Sequence, residues 1–205
     1  MAMEVTALGA ASPLGSEAKS DRWPAAAVAG GGMLLLALAA GAVLAPAAPS
    51  PLASRLRVHE YFVAHHDAAF NQSLLVHGVA GVALVVLAVA LWRMSVGGVR
   101  RWVFLVSGVA AAAASFVQLD LVFRIEHHIE SGVGVRQTDV LFDALNRAGA
   151  LKLVLLAVAV AAACSLAPRR VRRIGYVVVP VLGLAALALV TRVPDARTLL
   201  FFVRA

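Results

Sequence analysis

Five apolar runs dominate the chain, and each is close to the roughly 20 residues that carry a helix across a hydrocarbon core. They cover about 25–46, 73–92, 102–123, 147–167 and 175–193. In lipid every backbone N–H and C=O must be satisfied within the protein, so long continuous apolar runs must be helical. The predicted fold is an all-α integral membrane protein, a bundle of five transmembrane helices within residues 24–195. Composition agrees. Apolar residues make up 61% of the chain and charged residues 14%, whereas soluble domains sit near half and a quarter.

The first run has a second reading. Lys19 and Arg22 precede it, and Ala45-Pro-Ala47 loosely resembles a signal cleavage site. Its apolar core is long for a signal and the flanking prolines are unfavourable, so a retained span is expected. Pro180 lies inside the fifth run, where neighbouring helices can satisfy the carbonyl it frees. The single cysteine, Cys164, excludes an intrachain disulfide and reads as a small apolar residue.

Charge placement gives an orientation. The net charge of +7 would suggest nucleic acid in a soluble chain, but here the arginines mostly flank apolar runs as topology signals, and no nucleic-acid partner is expected. Arg93, Arg100 and Arg101 bracket the second link, and Arg169, Arg170, Arg172 and Arg173 fill the fourth, without an acidic residue in either. Short basic loops stay in the cytoplasm. The expected topology therefore has the N-terminus cytoplasmic and the C-terminus outside, in a cell membrane. The scarcity of lysine beside arginine, with the alanine and valine excess, suggests a GC-rich bacterial source. Residues 1–23 read as a disordered cytoplasmic tail, residues 46–51 as a proline-rich break, and residues 196–205 as a short interfacial tail.

All six histidines fall in two short stretches that this topology places on the outer face. The first holds His59, His65, His66 and, further on, His77. The second is Glu126-His127-His128-Ile129-Glu130. Asp67 is the expected N-cap of the second span. Helical spacing then places His66, Phe70, Ser73, His77 and Gly81 on one stripe, with His77 a turn inside the apolar zone. Asp120 and Arg124 share a face of the third span with His127 or His128, and Gln118 is read as part of that polar stripe. An ionisable group within a span costs about 2.5–3.5 kcal/mol on insertion scales, so it normally faces the protein interior or water. A structural ion pair between Asp120 and Arg124 is the bland alternative. Thr138 or Asp139 is expected to cap the fourth helix, and Lys152 either snorkels outward or pairs inside with Asp120 or an anion.

Three functions compete. Imidazole and carboxylate together suit zinc, iron or copper, and a transition-metal site of His66, His77, His127 and Glu130 is conceivable. The alternative is a metal-free acid–base enzyme, of isomerase or cyclase type, acting on a lipophilic small molecule through Asp120, Arg124, Glu126 and His127. The third is a non-catalytic subunit that packs on a protein partner in the lipid bilayer. Gly30-Gly31-Gly32 opens a membrane span and is no phosphate loop. Ser115 and Ser165 lie in apolar runs, where a serine commonly bonds its own helix carbonyl.

Overall fold

The computed structural model describes residues 22–44, 49–51, 53–95, 98–132, 134–166 and 169–191. The signal-like site at Ala45–Ala47, residues 1–21 of the N-terminal tail, the C-terminal tail and residues 46–48 of the Pro-rich break lie outside them. Five helices form the described chain: α1 (Arg22–Leu44), α2 (Arg55–Met94), α3 (Gly98–Glu130), α4 (Val135–Leu166) and α5 (Arg169–Thr191). Four of them, α1 to α4, are long and apolar enough to cross a membrane. In α5 the apolar stretch is the shorter Gly175–Leu189, and Pro180 lies within the helix.

Helices outrun the apolar segments on one side. The 40 residues of α2 span about 60 Å at 1.5 Å per residue, twice a hydrocarbon core of about 30 Å. The surplus is the polar N-terminal half of α2, matched by the ends of α3 and α4. These three segments form a helical collar at what is here called the histidine end. The collar revises the expected capping. Asp67 does not cap α2; Ser54, thirteen residues earlier, does, accepting from the Arg57 N–H at 3.3 Å. Thr138 does not cap α4 either, since that helix already starts at Val135 and Thr138 is wholly buried.

Small residues set the helix spacing. Gly30 of α1 lies where an added Cβ would meet backbone atoms of α2, Leu87 N at 3.2 Å and Ala83 O at 3.3 Å. Gly41 packs against Val76, and its carbonyl accepts from Gln72 Nε2 at 2.9 Å. These two crossings fix α1 antiparallel to α2. Gly108 of α3 sits against Ala88 of α2, where a Cβ would be 3.0 Å away. Close approach through glycine and alanine is how helices associate when lipid offers no hydrophobic drive. Further along, α3 packs on α4 and α4 on α5.

Two apolar clusters lie at different depths. Val58, Phe62, Ala69, Ile125 and Phe142 form one in the collar. Ala88, Phe104, Ala159 and Ala162 form the other towards the arginine end. Between them α2 departs from α-geometry in a π-turn over Leu74–Val79.

Candidate functional site

His77 occupies that π-turn. A π-turn inserts an extra residue into one turn, and such wide turns recur at functional sites. Lys152 of α4 donates from Nζ to His77 Nδ1 at 3.2 Å across 75 residues of sequence. Because an ammonium can only donate, Nδ1 is the acceptor and the proton of a neutral imidazole resides on Nε2. Both helices enter from the histidine end, and both residues lie about one turn inside their apolar segments. They therefore meet at one depth. The lysine does not pair with Asp120, one of the roles expected of it; Asp120 pairs with Arg124 instead.

Polar groups of α3 complete this layer. Gln118 Nε2 donates to the Leu145 carbonyl at 3.3 Å and lies 2.9 Å from where a Gly149 Cβ would stand. Gly149 is one turn before Lys152. Ser115 packs against Gly81, one turn after His77. Gln118 Oε1 and Ser115 Oγ are both buried without a hydrogen-bond partner. Ser165 behaves as expected of a serine in an apolar run, donating to the Ala162 carbonyl at 2.7 Å, whereas Ser115 makes no such bond. Among the described residues Lys152 has no carboxylate within ion-pair distance.

The collar gathers the two histidine stretches, but into pairs instead of one centre. His66 Nδ1 lies 3.2 Å from Asp67 Oδ1 and 3.7 Å from Glu126 Oε2. Glu126 is 8% exposed and its Oε1 has no partner. His59 shares a 3.3 Å hydrogen bond with Thr138, and Arg55 pairs with Asp139 at 2.9 Å. At the non-helical kink of α2, His65 donates to the Tyr61 carbonyl at 3.1 Å and stacks on the Tyr61 ring. His127 and Glu130 are exposed on the last turn of α3. His77 is eleven residues below His66, about 16 Å along a helix. Among the described residues no three His, Cys, Asp or Glu side chains stand close enough to hold one metal ion.

Asp120 and Arg124 form an i,i+4 ion pair at 2.8 Å with side chains 57% and 63% exposed. They turn away from Gln118, whose face of α3 is buried together with Ser115, Val122 and Glu126. The polar stripe read from sequence thus splits into two faces. Glu126 shares the inner one, and Asp120, Arg124 and His127 lie on the outer one.

Comparison of the chain with protein-family profiles, curated proteins and solved structures finds no match.

Proposed function

We propose that this chain is a cell-membrane protein crossing five times, with its N-terminus cytoplasmic, that binds a lipophilic anion or carbonyl compound at His77 and Lys152 and moves a proton on it without metal. The reading rests on the Lys152–His77 contact inside the apolar zone. A cation held there without a carboxylate is unfavourable in the empty protein and becomes favourable when an anion or a polarised oxygen reaches it. The ammonium has two N–H donors left for that oxygen. The proton path is short. Lys152 passes a proton to His77 Nδ1 as Nε2 gives its own to the substrate, and the reverse transfer restores the pair. Such a step needs only proton exchange, as in a double-bond shift beside a carbonyl. Ser115 and Gln118 offer further polar contacts to an oxygenated substrate.

The test uses full-length protein in nanodiscs with oleate as the anionic probe and oleyl alcohol as the neutral one. Oleate is expected to raise the thermal midpoint and the alcohol to leave it unchanged. Lys152→Met should lower oleate affinity about ten-fold or more, the scale of one lost hydrogen bond to a charged group. Equal responses to both probes, or an unaltered affinity in the variant, would overturn the reading.

One observation favours a second reading, a transition metal such as zinc, iron or copper at the mouth. Glu126 carries a buried unpartnered oxygen beside His66, so these two would be the seat, with His127 and Glu130 recruited from the end of α3. Metal content of protein purified under metal-replete conditions decides it, with His66→Ala as control. One bound metal, lost in the variant, would favour it.

A further inference from the structure

All three tryptophans of the chain, Trp23, Trp92 and Trp102, meet at the arginine end, opposite the histidines. Trp92 and Trp102 lie with ring centroids 5.2 Å apart. The Arg93 guanidinium lies 5.0 Å from the Trp92 ring centroid and 5.4 Å from that of Trp23. The Arg101 guanidinium lies 4.7 Å from the Trp92 ring and 5.7 Å from that of Trp102. Three helices contribute, since Trp23 opens α1, Trp92 and Arg93 close α2, and Arg101 and Trp102 open α3.

We propose that this cluster binds the phosphate of an anionic glycerophospholipid between Arg93 and Arg101, with Trp92 at its centre. Stacking on an indole holds a guanidinium in place yet uses its face, leaving its N–H edge for an acceptor. Arg101 Nη1 makes one long 3.5 Å contact to the Ser95 carbonyl. Neither arginine has a carboxylate partner among the described residues. Trp92 Nε1 is buried and donates to nothing. Two guanidiniums and an indole N–H form a donor set that a phosphodiester fits and a zwitterionic headgroup fits less well. Beside it Val99 and Trp102 are exposed on α3, an apolar flank for the acyl chains. Tryptophan and arginine at this depth also match the headgroup zone, where basic pockets between helices select anionic lipid.

Because every tryptophan is in the cluster, intrinsic fluorescence reports on this site alone. Full-length protein is reconstituted in phosphatidylcholine, and quenching by brominated phosphatidylglycerol is compared with quenching by brominated phosphatidylcholine. The wild type is expected to prefer the anionic lipid by about five-fold for each arginine engaged. Arg93→Gln/Arg101→Gln should bring the ratio close to one, and Arg93→Lys/Arg101→Lys should keep part of it. A wild-type ratio of one overturns the proposal, as does a preference that survives the glutamine variant. Should that variant fail to fold, Arg93→Gln alone is read, with a fall of about five-fold expected and no fall contradicting the site. Relief of quenching by millimolar inorganic phosphate would mark a free-anion site and overturn the lipid assignment.

Discussion

Lys152 Nζ and His77 Nδ1 stand 3.2 Å apart within the apolar part of the bundle, so two groups that titrate in water are held together where water is scarce. Desolvating a cation is costly and one neutral imidazole offsets only part of it. A position occupied for stability alone would do better with an apolar residue. Lys152→Met is therefore expected to keep or raise the thermal midpoint while losing oleate binding. A drop of several kcal/mol would instead make the lysine structural. Equilibrium unfolding in detergent measures it.

Asp120 and Arg124 should matter little. Exposed i,i+4 pairs contribute about 0.3–0.5 kcal/mol, and this pair faces away from the polar layer. Asp120→Asn and Arg124→Gln are expected to change stability by less than about 0.5 kcal/mol and to leave oleate affinity unaltered. A large loss of binding in either variant would return the outer face of α3 to the site.

A matched pair of glycines tests the α1–α2 contact. A Cβ at Gly30 would meet backbone of α2, and backbone cannot swing aside. At the neighbouring Gly31 nothing lies within 4 Å. Gly30→Leu should destabilise by about 1–3 kcal/mol, the scale of overpacking, and loosen α1, whereas Gly31→Leu should be near neutral. Thermal midpoints and protease sensitivity of α1 in the two variants give the comparison, and equal effects would contradict the register.

Thr138 is wholly buried and shares a hydrogen bond with His59. Thr138→Val conserves shape and strands the imidazole nitrogen, so about 1–3 kcal/mol should be lost. The loss should largely vanish in a His59→Ala background, where no partner remains. A loss that persists there would place the role of Thr138 in packing.

The helices and the gathering of both histidine stretches at one end were legible in the sequence, because two membrane-length apolar runs lie between the stretches and an even number of antiparallel runs returns the chain to the same end. Geometry within that end was not. Hydropathy sees only the apolar half of α2, so His59 and His65 fall before the helix start expected at Asp67, although helix begins at Arg55. The stripe from His66 to Gly81 assumed unbroken α-periodicity, and the π-turn at Leu74–Val79 shifts the register by a residue just at His77. The face of α3 was misread for a related reason. Gln118 and Asp120 are two residues apart, about 200° around a helix, so one faces inward and the other outward. A signal for the Lys152–His77 pair did exist. Each residue sits one turn inside a span, and the two spans run in the same direction, which gives them equal depth.

The central claim is that His77 and Lys152 act as one site, and a double-mutant cycle on oleate affinity tests it most directly. His77→Ala, Lys152→Met and the double variant are compared with the wild type in nanodiscs. Residues in contact couple by about 0.5–3 kcal/mol, so the double variant should bind little worse than Lys152→Met alone. Additive losses, or no loss in any variant, would contradict a shared site.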